Sequence, residues 1–502
     1  MARSAQARAW AAYNLRVGGK RLKAVLLPRI IFNFQLAHDN KPPTKGDDVL
    51  ETATAFDWAG VVDYAKRSYS TPPKTQYELP GVNVENHLGV PVACVPLWHS
   101  VVTARLNLQK GDAAALRRAQ SRLSAALAEI ETIYPLNPGG ILMQVAYGLS
   151  YFREYIPAAV TEKLMPRAIE NGKPGAWAVI DAIRFPKDPT QLVLEQNDIS
   201  FHFKSDYNEH LSDVMRALFQ PGIRSLNGIP VQNVYIGDLV TVTSIRRGFA
   251  GRGMPRVMAT RLGIPGADKV PPGAMLFMGF TSSHVHGLAQ GTLPSFETLP
   301  GYTDQTPDSY FAHSTMMHLS HIVIDLEGWY GLEHQERLKR MFDARRTGGS
   351  EVLSPSQAPE TTTFKEQLEQ DAKEHRLLGH NAQMQHLSRL KEDTTTVYGD
   401  RLPKGTVLFL RQDFDTVENP FEFSADSPVS NAPKPGVHFI GFCPSAQLFE
   451  KIRKEMDSVE LQQKYKLADE NTGFTKFLVT THRQNYLEPS RSHRSFPLAE
   501  LV

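Results

Sequence analysis

The chain has 502 residues, 41% of them apolar, a length beyond one ordinary core at a globular composition, so two packed units with a further segment are expected. Its 55 Lys and Arg stand against 53 Asp and Glu, which leaves no basic surplus to neutralise phosphates and argues against a nucleic-acid partner. Only Cys94 and Cys443 are present, with no C-x-x-C pair, so neither a disulfide framework nor a cysteine zinc site is available.

In chain order, the first apolar run, Ala24 to Phe34, is broken by Pro28, Arg29 and Asn33. It is too short to cross a bilayer and makes a poor signal segment, so no membrane contact is expected and the cytoplasm is the expected compartment. Residues 1–134 read as a mainly helical N-terminal extension. A Pro-rich stretch from Thr71 to Pro80 precedes an Ala-rich amphipathic helix from Asp112 to about Tyr134. Gly140 to Tyr147, bounded by Pro138-Gly139 and Gly148, predicts a buried strand. Asp198 to Lys204 alternates apolar and polar side chains, which predicts another strand, and Glu209 to Leu218 follows with helical spacing. The cluster Gly248 to Gly253 lacks the Lys-Ser/Thr of a phosphate loop and the register of a dinucleotide fingerprint, so it reads as a turn. Ala344 to Glu374 is rich in Ser, Thr, Glu and Pro, buries too little apolar area to offset ordering entropy, and reads as a surface loop. Gly436 to Phe442 and Ser445 to Ser458, with Leu448, Ile452 and Met456 at i, i+4 and i+8, repeat the strand-helix pattern.

Histidines gather in the second half at His284, His286, His313, His318, His321, His380 and His386, and histidine without cysteine points to haem, iron or copper. The pairs His318/His321 and His380/His386 are equally compatible with ordinary helix residues, because neither spacing makes a chelating pair by itself. Met254, Met258, Met275, Met278, Met316 and Met317 suit adaptable core filling better than a copper site.

Eight stretches give the histidines a context. They are Gly140–Phe152, NDISFHFKSD at Asn197–Asp206, GFAGRGMP at Gly248–Pro255 and LFMGF at Leu276–Phe280, then FAHSTMMHLSHIVIDLEGWY at Phe311–Tyr330, GHNAQMQHLSR at Gly379–Arg389, FLRQDF at Phe409–Phe414 and GVHFIGF at Gly436–Phe442. In that order they resemble the dye-decolourising peroxidase superfamily, and in particular a divergent actinobacterial and archaeal branch of it, over Pro138 to Val502. The resemblance implies an α+β fold of tandem ferredoxin-like units of the dimeric α+β barrel type. A first unit would span 135–275, and a second, carrying the cofactor, 276–502. The implied cofactor is one haem b, held non-covalently, since no C-x-x-C-H is present. It further implies oxidation of a small-molecule substrate, with hydrogen peroxide or dioxygen as oxidant, and an oligomer of identical chains as a partner state.

By the same resemblance His380 is the axial ligand, and Arg389 and Arg411 are cofactor-binding positions. Arg411 lies in Leu410-Arg411-Gln412-Asp413 and would face the peroxide, where a permanent charge stabilises a departing oxygen. Its alternative is a surface ion pair with Asp413 or Asp415. One position departs from the superfamily's pattern. A G-x-x-D-G aspartate is replaced in Gly279-Phe-Thr-Ser282-Ser, and a hydroxyl is no general base near neutral pH without an activating partner. Asp413, two residues after Arg411 and so on the same strand face, can supply the missing carboxylate, and His284 or His286 can serve from a loop. Ser282 beside His284 also resembles the distal pair of haem aldoxime dehydratases, which keeps open a haem-dependent lyase or dehydratase acting on iron-bound substrate. A haem-binding protein that has lost catalysis is the third reading. The C-terminal Arg483, Arg491 and Arg494 are candidates for haem propionates, for a dimer contact, or for a solvated basic tail.

Overall fold

A computed structural model describes residues 72–87, 90–280, 296–347, 365–417, 423–425 and 433–502, together with the two-residue strands Arg16–Val17 and Lys20–Arg21. Most of the expected N-terminal extension therefore lies outside the described residues.

The first half builds strand β1 (Trp98–Leu106), helix α1 (Ala113–Ile133), strands β2 (Leu142–Gly148) and β3 (Ile199–Ser205), helix α2 (Asn208–Phe219) and strand β4 (Val240–Phe249). Asp112 caps α1 by accepting the Ala115 N–H at 2.8 Å. The strands pair antiparallel in the order β4-β1-β3-β2, the arrangement of a ferredoxin-like unit. The first unit thus opens at Trp98, and the Ala-rich helix placed at the end of an extension is its first crossover helix. The strand before it escapes periodicity because Val101, Val102, Thr103 and Ala104 are all buried, so neither face reads as polar.

The second half repeats the plan with β5 (Thr315–Ile324), helix α3 (His380–Ser388), β6 (Leu410–Arg411) continued by β7 (Phe414–Thr416), β8 (Gly436–Cys443), helix α4 (Ala446–Asp457) and β9 (Leu478–Glu488). Its sheet order is β9-β5-β8-β7. The two sheets join twice, through Phe249 and Asp415 between β4 and β7, and through Gly148 and Tyr486 between β2 and β9. Eight strands therefore close into one barrel, which leaves neither unit a free sheet edge. The α+β class and the tandem ferredoxin-like architecture agree with the sequence reading.

Closure buries both faces of the strands over most of their length. On β3, Phe201 and Phe203 face the helix layer, and Phe201 meets Phe219 of α2 at 5.4 Å. The alternate residues His202 and Lys204 line the barrel interior and are as inaccessible as the phenylalanines. An alternation that would ordinarily place its polar side in water places it inside. The interior mixes Val101, Met317, Leu319, Phe414, Ile440 and Phe442 with His99, His202, Lys204, His321, His438 and Glu488. Each buried polar group there needs a partner. His99 Nε2 donates to the Pro96 carbonyl at 2.9 Å, so its Nδ1 accepts from His202 Nε2 at 3.0 Å. Arg246 forms a two-pronged pair with Glu195 at 2.5 and 2.6 Å.

Two readings change. His318 and His321 lie on strand β5, three residues apart and therefore on opposite faces: His318 stacks on Phe449 of α4 at 3.9 Å, and His321 meets His438 inside the barrel at 4.9 Å. The supposed surface loop ends in helix, Lys365–Gln370, with Leu368 and Ala372 fully buried in a small apolar cluster. One glycine permits a close approach at the second sheet. A Cβ on Gly441 would lie 2.0 Å from the Phe409 ring. Gly441→Ala is accordingly expected to destabilise the protein by about 1–3 kcal/mol. Urea unfolding that returns wild-type stability would show that the ring moves aside freely.

Candidate functional site

The candidate site lies on the helix-covered face of the second sheet. Helix α3 begins at His380, after Gly379, where any Cβ would collide with the Phe342 carbonyl at 2.3 Å; the Ala382 N–H donates to the same carbonyl at 2.9 Å. His380 is thereby pressed against an aromatic wall, its ring 3.9 Å from that of Phe474. Burial, with the charges of Arg411 and then Arg453, pushes its imidazole down to about 3, so it is neutral at any physiological pH. Its Nδ1 makes no hydrogen bond among the described residues. The same helix buries Asn381, Gln383, Gln385 and Ser388, each with an oxygen that lacks a hydrogen-bond partner among the described residues. Polar atoms are seldom buried this way without a ligand or water to meet them.

Arg411 ends β6 opposite Gly441, and its guanidinium stands 3.9 Å from the Asp413 carboxylate. Asp413 lies where the ladder lapses between β6 and β7. It accepts the Ile440 N–H of β8 at 3.0 Å. Burial pushes its carboxyl up to about 6, against the opposing pull of Arg411 and of that N–H. Arg411 and Asp413 thus share a face. Arg389 ends helix α3, buried, and gives an N–H to the Gly405 carbonyl at 2.8 Å. His386 lies on the same helix with Nε2 3.9 Å from the Glu455 carboxylate of α4.

Ser282, His284 and His286 lie outside the described residues. The chain that leads to them is placed as far as Phe280, whose ring packs on Trp329 and, at 5.4 Å, on Phe342, the residue that abuts the start of α3. The C-terminal arginines are committed elsewhere. Arg483 pairs with Asp188 at 2.5 Å, and Arg491 and Arg494 pair with Glu131 of α1 at 2.8 and 2.6 Å. Arg491 and Arg494 thus tie the tail to α1, and none of the three belongs to a solvated basic tail. Asp415 was weighed only as a surface partner for Arg411. It is fully buried, close to the Phe277 N–H, and pushed well up by burial. No sequence signal marks it, because its surroundings come from β4 and β8.

The model of a protein family described as a family of unknown function, DUF7405, matches residues 96–490, most of the chain and all of both units. The chain belongs to this family. No curated protein matches it in sequence. Solved structures similar to this DUF7405 member include a DyP-type peroxidase from Cellulomonas bogoriensis, 14% identical over 85% of this chain and 99% of that one, with a TM-score of 0.49. A dye-decolorizing peroxidase from Bacteroides thetaiotaomicron is 12% identical over 84% and 98%, with a TM-score of 0.45. A variant from Rhodococcus jostii RHA1, solved in complex with heme, is 15% identical over 80% and 96%, with a TM-score of 0.44. Among the described residues of the DUF7405 chain no helix is long and apolar enough to cross a membrane, and no group of three or more His, Cys, Asp or Glu could hold a metal ion.

Proposed function

We propose that the chain holds one haem b on His380 and oxidises a small molecule, with peroxide or dioxygen as the oxidant. The observation that carries this reading is the buried, neutral His380 imidazole, with an Nδ1 that no described residue engages, lying in the field of the Arg411 guanidinium. A neutral imidazole with a free lone pair is what an iron requires of its ligand, so the donor fits the group. Bound haem would supply the redox chemistry. Arg389 would pair with a propionate. Arg411 would hold an anionic oxygen by its fixed charge, and Asp413, which titrates near neutrality, would take and return a proton. With Ser282 where the resembling superfamily has a carboxylate, proton transfer falls to Asp413. Ser282 with His284 favours a second reading, a haem-dependent lyase, in which oxidation of a reducing dye would fail although haem is retained.

Protein produced with a haem supply is expected to show a Soret band. His380→Ala should abolish or severely weaken it, because only apolar contacts and propionate pairing would remain. His318→Ala and His386→Ala should keep it: His318 Nδ1 already donates to Asn485 Oδ1 at 2.7 Å within the core. A wild-type spectrum in His380→Ala with loss in His386→Ala would move the ligand to the histidine beside Glu455 and overturn the assignment.

A further inference from the structure

The segment before the first unit reaches into the barrel. Gln76 fills the seam where β2 and β9 part: its Oε1 accepts the Val145 N–H at 2.9 Å, and its Nε2 donates to the carbonyls of Val145 at 3.0 Å and Pro489 at 2.7 Å. Those atoms belong to the two walls, so a side-chain amide completes the seam as a strand would. The next residue, Tyr77, packs its ring against Phe442 of β8 at 6.0 Å and presents its carbonyl to the interior.

That carbonyl has a specific recipient. Gln412 donates its Nε2 to the Tyr77 oxygen at 2.6 Å, and its Oε1 accepts from Gln144 at 3.2 Å. Gln144 in turn donates to the Gln76 carbonyl at 3.1 Å and accepts from Lys204. All these side chains are buried. Gln412 sits between Arg411 and Asp413, at the lapse between β6 and β7, where its backbone N–H still donates to Ile440 at 2.8 Å. Neighbours on an extended chain point to opposite faces, so drawing Gln412 inward sends Arg411 and Asp413 outward.

We propose that Gln412, gripped by the Tyr77 carbonyl, is the positioning residue of the Arg411–Asp413 pair, and that Gln76 and Tyr77 are therefore a working part of the site on the opposite face of the sheet. This rests on the reading of Arg411 and Asp413 as the site's charge and proton groups. The chain of contacts is continuous: the Gln76 clamp fixes Tyr77, Tyr77 and Gln144 fix Gln412, and Gln412 sets the two residues beside it. The Ile440 N–H is the local reporter, because it donates to Asp413 where a regular ladder would offer a backbone carbonyl.

The test uses the full chain and two variants, Gln412→Leu, which keeps bulk and removes the amide, and Gln76→Ala, which releases the clamp and leaves every barrel strand unaltered. Two readouts need no cofactor: hydrogen exchange at the Ile440 amide, and the infrared carboxyl band that Asp413→Asn removes. Both variants are expected to speed Ile440 exchange by about tenfold, the equivalent of one hydrogen bond, and to shift or broaden the Asp413 band. A role confined to stability would lower the melting temperature and leave that band unchanged. If Gln412→Leu does not fold, Gln76→Ala decides. Wild-type exchange and a wild-type band in a folded Gln76→Ala or Gln412→Leu protein would overturn the proposal. An altered band in these variants, together with an Asp413→Asn enzyme that oxidises dye at the wild-type rate, would instead remove the proposed function and leave the positioning role standing.

Discussion

Stability is expected to decline by roughly 3 kcal/mol per pH unit as the pH falls from 6 to about 4 and then by roughly 7 kcal/mol per pH unit. Burial holds His99 and His318 down to about 3, helped by the charges of Lys204 and Arg483 respectively, and holds His202 and His321 well below the ordinary range. An unfolded histidine takes its proton near pH 6.5, as the buried ones do not, so below that pH the unfolded state binds more protons and stability declines. Three buried carboxyls act the other way. Asp413, pushed up to about 6, and Asp415 and Glu488, also pushed up by burial, keep protons in the folded state that an unfolded chain releases above about pH 4. With His380, also held down to about 3, five imidazoles stand against three carboxyls and leave about two protons, or about 2.7 kcal/mol per pH unit, until the unfolded carboxyls are protonated too. Below that point the imidazoles act unopposed down to about pH 3. Smaller carboxyl shifts run in both directions, up at Asp198 and Asp371 and down at Glu131 and Asp469. Against a typical total of about 5–15 kcal/mol, the two stages together remove about 12 kcal/mol by pH 3, enough to unfold a protein of ordinary stability. Urea titrations at half-unit steps from pH 7 to 3 measure the profile. A steep decline that begins at pH 6 would mean that the barrel carboxyls are ionised in the folded state.

Those same groups mark where sequence reasoning reached its limit. Helices α1, α2 and α4 were legible because each lays one apolar stripe on a sheet, β2 because turn residues bound it, and β3 because its apolar and polar residues alternate. Strands β1 and β5 were not, since closure buries both of their faces and removes the alternation that distinguishes a strand. Lys204 illustrates the difficulty: its alternation with Phe203 was read correctly as a strand, but only the pairing of β2 with β9 shows that the polar side faces inward. In the candidate site, Arg411 and Asp413 were legible as a pair because two residues on one strand share a face. Gln412 between them carried no signal, because its partner Tyr77 lies 335 residues away. Arg491 and Arg494 were ambiguous for a similar reason, as Glu131, their shared partner, sits in the last turn of a helix in the other unit.

Arg411→Leu is expected to slow peroxide-dependent dye oxidation by about 10²- to 10³-fold, the usual effect of removing one fixed donor from a developing oxyanion. Asp413→Asn is expected to slow it by about 10²- to 10⁴-fold, the contribution of a positioned acid-base group. The direction of the pH dependence follows from the same carboxyl. Asp413 must be ionised to accept a proton, and burial sets its titration at about 6, so the wild-type rate should rise as the pH increases through 6 and level off above 7. Asp413→Asn should lose that rise, while Arg411→Leu should keep it and move it upward, since the guanidinium 3.9 Å away favours the ionised form. The two substitutions should combine to less than the product of their separate effects, because the carboxylate and the guanidinium act on the same oxygen. Ser282→Asp should raise turnover by returning a carboxylate to the position where the resembling superfamily has one. The measurement is the initial rate with a reducing dye at saturating peroxide, at matched haem content for every variant. If the double variant Arg411→Leu/Asp413→Asn retains the wild-type rate and pH profile, this pair does not face the oxidant, and the acid-base group must lie on the chain that follows Phe280.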